Sequence, residues 1–266
     1  MKVLIPMAGA GSRFSDAGYL IHKPCLPISS RLGPGQLPMV VAAVNDLPVA
    51  KSDTDSEIIF VIRDFHSEDG VRESIRKYYP HATFIQIDHL TEGQACTCLL
   101  AKDFIDTNDS LIISACDNGI DVDEENFQSI TEQADAVIFV FRHQDTVLDK
   151  PEAYGWIQTE GDRAVGVSIK KPISKFPMED PAVVGTFWFR SGHDFIAAAE
   201  GMIAADDRIN GEFYVDQVFK YLIDSGKVVK IFDVDRYICW GTPADYIAYE
   251  KTISYWTDFI KEERDL

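Results

Sequence analysis

Short apolar runs alternate with amphipathic stretches through the first half of the chain. Residues 3–7, 58–62, 83–87, 111–115 and 136–141 read as strands, and 39–47, 67–79, 94–104 and 124–133 read as helices between them. Runs that are apolar at every position mark strands covered on both sides. Their alternation with helices predicts an α/β fold with a Rossmann-like, mainly parallel sheet flanked by helices on both faces. In such sheets, ligands bind beyond the carboxyl ends of the strands.

The second half has a different texture. Residues 154–158, 164–170 and 183–189 read as strands joined by turns, Glu160-Gly161-Asp162 among them, and predict a mixed or antiparallel β lobe. Helices follow at 193–205 and 212–224, the latter with Phe219, Leu222 and Ile223 on one face and Gly226 after its end. A strand at 228–232 and a Tyr- and Trp-rich helix at 244–261 close the chain. The glycine- and proline-bearing stretch 30–38 reads as a loop. With no linker, repeat or low-complexity tract, residues 1–266 read as one domain with two lobes, 1–145 and 146–266.

Composition adds limits. The 266 residues are 46% hydrophobic, enough for a large core. Forty-three acidic against 25 basic residues give a net charge of −18. Such a surface disfavours nucleic acid and anionic membranes as partners, and an anionic substrate would need a local basic patch. Five cysteines without CxxC spacing suggest free thiols in a reducing compartment. No stretch approaches a membrane span, so the expected setting is cytoplasmic.

The strongest chemical signal is the opening run Leu4-Ile5-Pro6-Met7-Ala8-Gly9-Ala10-Gly11-Ser12-Arg13-Phe14, followed by Lys23-Pro24. Here a strand enters a glycine loop. Without Cβ atoms, successive backbone N–H groups can close on phosphate oxygens, while Arg13 and Lys23 supply charge. A GxG alone is often only a tight turn. Phe14 replaces the third glycine of a dinucleotide fingerprint, and no GK[ST] follows as in a Walker loop.

At this point the chain resembles the sugar-1-phosphate nucleotidylyltransferase family, whose members open with such a strand, a GxGxR loop and a Lys-Pro. The resemblance continues through Glu92-Gly93-Gln94, Cys116-Asp117-Asn118, Tyr154-Gly155, Lys171-Pro172, Gly185, Asn210-Gly211-Glu212 and Gly241-Thr242-Pro243. It implies transfer of a nucleoside monophosphate from a nucleoside triphosphate to a phosphorylated small-molecule acceptor, with pyrophosphate released and Mg²⁺ as cofactor. It also implies residue roles. Arg13, Lys23 and Asp117 would be catalytic, and Ala8, Gly9, Ala10, Gly11, Ser12, Glu92, Gly93 and Gln94 would bind nucleotide. Gly155, Lys171 with Lys170 as a second candidate, Gly185 and Glu212 would meet the acceptor, and Asp117 would hold the metal. Both substrates are anionic, so such a site works by neutralising charge and aligning groups.

Two positions depart from the pattern. The family's Glu-Lys-Pro is Lys170-Lys171-Pro172 here, which makes the acceptor end more basic. Cys239 stands where many members carry a second metal aspartate. Thiols ligate Mg²⁺ poorly, so either Asp235, or Asp233 on the same face of the strand, replaces that aspartate, or one carboxylate suffices, or metal use is altered. The glutamine that directs thymidylyl- and uridylyltransferases is not evident at Asp88–His89, so CTP is the favoured triphosphate. Two other readings stay open: a nucleotide-sugar-dependent glycosyltransferase, and a nonenzymatic nucleotide- or sugar-phosphate-binding regulator. The aromatic last helix (Tyr246, Tyr249, Tyr255, Trp256, Phe259) suits a homodimer contact.

Overall fold

The computed structural model describes residues 1–31, 33, 35–48, 57–68 and 70–264. The first half contains β1 (Lys2–Pro6), α1 (Ser12–Asp16), β2 (Pro27–Ser29), β3 (Gln36–Pro38), α2 (Met39–Asn45), β4 (Glu57–Arg63), α3 (Asp64–Glu68) and α4 (Val71–Arg76). It continues through β5 (Thr83–Ile87), α5 (Gln94–Leu99), α6 (Lys102–Ile105), β6 (Leu111–Ser114), β7 (Asn118–Asp121), α7 (Glu124–Glu132) and β8 (Ala136–Phe141). The second half contains α8 (Thr146–Asp149), β9 (Gly155–Glu160), β10 (Arg163–Ile169), β11 (Ala182–Phe189), α9 (Gly192–Ala204) and α10 (Val215–Asp224). The chain then runs through β12 (Val229–Asp233), β13 (Arg236–Cys239) and α11 (Pro243–Arg264).

Nine strands form one sheet in the order β5-β4-β1-β6-β11-β8-β12-β10-β9. The first four are parallel, with Leu4 of β1 opposite Ile59 on one side and Ile113 on the other. Beyond them the expectation of a mainly parallel sheet fails. β11 enters antiparallel to both β6 and β8, and only β12 runs parallel to β8. The β9–β10 hairpin pairs antiparallel, as two strands joined by so short a turn must. Its first strand reaches back to β11 at Trp156–Ala182, so β11, β8, β12, β10 and β9 close into a mixed ring. The fold is mixed α/β.

Side chains alternate between the two faces of the sheet, and helices cover each. On one face Leu4, Ile59, Val61 and Ile113 pack with Ala95, Cys98, Phe195, Met202 and Phe219 from α5, α9 and α10. On the other, Val3, Ile5, Phe60 and Ile62 pack with Val40, Val44, Ile75 and Phe127 from α2, α4 and α7. A third cluster joins Phe14, Leu26, Met39, Trp240 and Tyr249. Burying a side chain of this size stabilises by about 1.5–3 kcal/mol, so Phe14 holds the glycine loop down onto the body of the fold.

Several element limits differ from those the sequence suggests. The stretch 67–79 breaks at Gly70, whose φ of 75° is left-handed, and Asp69 lies outside the described residues. The stretch 94–104 divides at Leu100–Ala101 into α5 and α6. The helix expected from Glu212 begins at Val215, because Asn210 and Gly211 are left-handed and Ile209 bridges Glu212. The loop expected at 30–38 contributes β3, paired with β2; Leu32 and Pro34 of that loop lie outside the described residues. The ribbon β7–β13 was not foreseen: four residues per strand carry too short a pattern to read.

Candidate active site

Two adjoining cavities open beyond the carboxyl end of the parallel strands. The first, of about 490 Å³, is lined by Gly9, Ala10 and Gly11 and by Lys23, Phe65 and Asp117. The second, of about 460 Å³, is lined by Arg13, Tyr154, Gly155, Lys170, Gly185 and Asp216 among others. Asp117 and Gln94 belong to both linings and so stand on the shared wall.

The fold fixes Asp117 from three sides. Just beyond β6, Ala115 N donates to Gly185 O at 3.0 Å, and Asn118 Nδ2 donates to Val184 O at 2.8 Å. Trp240 N donates to the Asp117 carbonyl at 2.9 Å. Lys23 Nζ forms an ion pair with Asp117 Oδ2 and donates to Gly241 O at 3.2 Å. Burial disfavours the charge on Lys23, but Asp117, together with Cys116 and Cys239 beside it, holds the ammonium pKa above its ordinary value. Lys23 is therefore a cation throughout the neutral range.

The expected nucleotide residues separate into those that face the cavities and those that do not. Gly9, Ala10 and Gly11 line the first cavity; Ala8 is buried beside them, and exposed Ser12 lines neither. Arg13 is exposed and borders the second cavity, not the first. Gln94 is on the shared wall, but Glu92 points away and pairs with Arg208 at 3.0 Å. Gly93 has a packing role: a Cβ there would stand 2.4 Å from Phe213 O, and its φ is 132°. Phe65 and His66 were missed by the sequence reading. Both line the first cavity, with Phe65 at 5.0 Å from the His22 ring, and one aromatic and one histidine in a helical stretch carry no readable signal. Asp88 and His89 pair with each other at the surface.

At the second cavity the structure exchanges two expected residues for their neighbours. Lys171 is exposed and outside the lining; Lys170 lines it, turned inward by a left-handed φ of 61°. Glu212 is exposed, accepts from Tyr214 Oη at 2.6 Å and does not line the cavity, whereas Tyr214 and Asp216 do. Gly155 and Gly185 both line it, and Gly185, at φ 95°, sits where β11 shifts register against β8. Arg13, Lys23, Lys150 and Lys170 line the two cavities together with Asp117, Asp149, Asp216 and Asp245, so cations and carboxylates balance and the linings are not the local basic patch expected.

Among the described residues no group of three or more His, Cys, Asp or Glu side chains is arranged to hold a metal. Asp235 does not reach Asp117. It is exposed beside the Arg236–Asp121 pair, about 13 Å along the strand from Cys239. Asp233 is engaged by Arg142 at 2.9 Å. The carboxylate near Cys239 is Asp245, whose Oδ2 accepts from Thr242 Oγ1 at 2.6 Å and lies 3.5 Å from Cys239 Sγ. Burial lifts the Cys239 thiol to about 11, despite the Gly241 amide, so it is protonated at neutral pH. A hard-oxygen cation such as Mg²⁺ commonly takes one or two carboxylates and completes its shell with substrate phosphates and water. Asp117 fits that mode, with Lys23 beside it for the phosphate charge.

The fold is shared with several solved structures. A nucleoside-diphosphate-sugar pyrophosphorylase from Vibrio cholerae RC9 superposes with a TM-score of 0.73 at 23% identity, covering 93% of this chain and 98% of that one. The inositol-1-phosphate CTP transferase from T. maritima gives 0.65 at 14% identity, over 94% and 93%. A UDP-glucose pyrophosphorylase complexed with UDP-glucose gives 0.66 at 17% identity, over 97% and 98%. No protein-family model matches the chain. No curated protein matches it in sequence.

Proposed function

We propose that this protein is a nucleotidylyltransferase: it transfers NMP from a nucleoside triphosphate to a phosphorylated sugar or similar small metabolite, and pyrophosphate leaves. The observation that carries the reading is Asp117, paired with Lys23, on the wall common to two cavities of similar size. An acceptor phosphate in the second cavity and an α-phosphorus at that wall would meet in line. The glycine loop of residues 9–11 and the aromatic wall at Phe65 suit the triphosphate and its base, and residues 1–145 supply most of that cavity. Residues 146–266 supply most of the other. Arg13 and Lys23 offset phosphoryl charge as it develops, and Gln94 positions the reacting phosphate.

Asp117 would hold Mg²⁺, which when bound neutralises charge on the phosphates. The solved structures whose names specify pyrophosphorylases and a CTP transferase support the reaction class. CTP remains the favoured triphosphate. Among the described residues no helix is long and apolar enough to cross a membrane, and all five cysteines are free, which supports a cytoplasmic setting. The exposed Tyr255, Trp256, Phe259 and Ile260 of α11 support a homodimer contact.

The test is pyrophosphate release measured with each common nucleoside triphosphate against a panel of phosphorylated acceptors, with and without Mg²⁺. The reading expects one triphosphate–acceptor pair to stand out and to require the metal. Absence of release from every pair, with both substrate classes bound, would refute it.

A further inference from the structure

Asp216 is the second residue of α10, and its side chain folds under the start of β9. A Cβ built at Gly155 would lie 2.1 Å from Asp216 Oδ2, so the carboxylate occupies the space a side chain at 155 would need. Both residues line the second cavity. The backbone amides of Asp216 and Gln217 favour the charged form of the carboxylate. Lys170, whose charge it feels, directs its ammonium elsewhere: Nζ donates to Ala153 O at 2.8 Å and lies 5.4 Å from the centre of the Tyr214 ring. Burial lifts the Asp216 carboxyl to about 6, against the pull of Lys170 and the two amides, so it is mainly ionised at neutral pH.

A half-buried carboxylate without an ion-pair partner still carries a desolvation cost, and lining a cavity is a common reason for keeping one. The neighbouring groups narrow its ligand. An ammonium on the ligand would meet Asp216 but also Lys170; Arg13 and Lys150 line the same cavity, as do Asp117, Asp149 and Asp245. A hydroxyl suits the pair better. It donates to Asp216 and accepts from one of the two Lys170 protons not engaged by Ala153.

We infer that Asp216, which lines the second cavity together with Lys170, is the specificity-determining residue for the acceptor, accepting a hydrogen bond from a hydroxyl of a phosphorylated sugar or polyol. This rests on the reading of the second cavity as the acceptor site. Gly155 is glycine because the carboxylate stands in its side-chain space.

The experiment measures binding first, so that it does not depend on turnover. Wild type, Asp216→Asn and Asp216→Ala are titrated calorimetrically with glucose 1-phosphate, its monodeoxy analogues, inositol 1-phosphate, phosphocholine and phosphoethanolamine. Thermal melting of each variant controls for folding. The expected result is binding of at least one sugar or polyol phosphate by wild type, weakened 10- to 100-fold in Asp216→Asn. Removing one particular hydroxyl should cost wild type tenfold or more and Asp216→Asn less than twofold, a loss of discrimination that a purely structural role would not produce. Triphosphate affinity should stay within twofold. Equal affinity in a folded Asp216→Asn, no binding of any sugar or polyol phosphate, or preference for the phosphorylated amines would each overturn the inference. If acceptors bind as expected but no pyrophosphate is released, the assignment of Asp216 as a hydroxyl ligand stands and the proposed reaction falls.

Discussion

Lys23 and Asp117 lie 94 residues apart in the chain and form a partly buried ion pair at the wall between the two cavities. Each residue holds the other's charge where a phosphoryl group would be placed. Lys23→Ala should lower turnover at saturating substrates at least tenfold, equivalent to about 1.4 kcal/mol of barrier. Because it also leaves Asp117 unpaired, Lys23→Ala should melt lower than the double variant Lys23→Ala/Asp117→Asn. Steady-state kinetics and a thermal melt of the three proteins check both statements. Near-normal turnover in Lys23→Ala would remove the pair from the chemistry.

Asp117 and Cys239 should respond differently to the metal. Asp117→Asn is expected to abolish nearly all Mg²⁺-dependent activity, since it removes the hard oxygen at the shared wall. Cys239→Ser should keep most of it, because the thiol is protonated at neutral pH and already accepts from the Gly241 amide at 3.4 Å. Activity across a Mg²⁺ titration separates the two. A lost metal response in Cys239→Ser would show that the sulfur position matters to the cation.

Adjacent lysines should differ as well. Lys171→Ala should leave the Michaelis constant of the acceptor within twofold, because the side chain is exposed and outside the cavity. Lys170→Ala should raise that constant about tenfold, near 1.4 kcal/mol, and leave that of the triphosphate nearly unchanged. The reverse pattern would mean that the left-handed turn at Lys170 does not direct its side chain into the site.

The raised pKa of Asp216 makes stability depend on pH in a definite direction. Between the ordinary value of 3.8 and about 6, the folded protein holds a proton that the unfolded chain has lost. The group therefore costs nothing well below pH 4, and its cost grows as pH rises through 6. Asp216→Asn carries no charge, so it should melt about 2–4 °C above wild type at pH 8. The difference should shrink as pH is lowered to 5.5. Melts across that range test it, with Lys170 and Tyr214 as the neighbouring titratable groups that must stay unchanged. A constant gap would show that Asp216 does not titrate there.

Gly93→Ala tests a packing role against a ligand-binding one. The added Cβ would meet Phe213 O at 2.4 Å in a conformation that alanine avoids. Destabilisation by more than about 2 kcal/mol in a denaturant titration is expected. A stable variant with weakened triphosphate binding would restore the ligand role that its motif suggests.

Local pattern accounts for much of what was legible. The strands at 83–87 and 136–141 have the same limits in the structure as in the sequence, because each is an uninterrupted apolar or alternating run flanked by polar turns. The glycine loop after β1 and the aspartate after β6 were legible for the same reason: strand ends are local events. The ring of five strands was not. Its closure depends on β11 inserting between β6 and β8 and on one contact at Trp156–Ala182, and both are long-range pairings.

The sequence by itself determined the α/β alternation, the buried strands and the cationic glycine loop, since each depends on residues a few positions apart. Tertiary structure alone decided that Lys170 and not Lys171 faces the cavity. One residue's left-handed backbone reverses which of two identical side chains points inward. It also decided that Asp216 and not Glu212 supplies the carboxylate, because α10 begins late and docks under Gly155. Asp235 was chosen as a metal ligand by its nearness in sequence to Cys239, but an extended strand carries it about 13 Å away. Asp245 comes to the same cysteine across the turn into α11. Which carboxylates converge depends on where strands end and how helices dock, and spacing along the chain does not encode that.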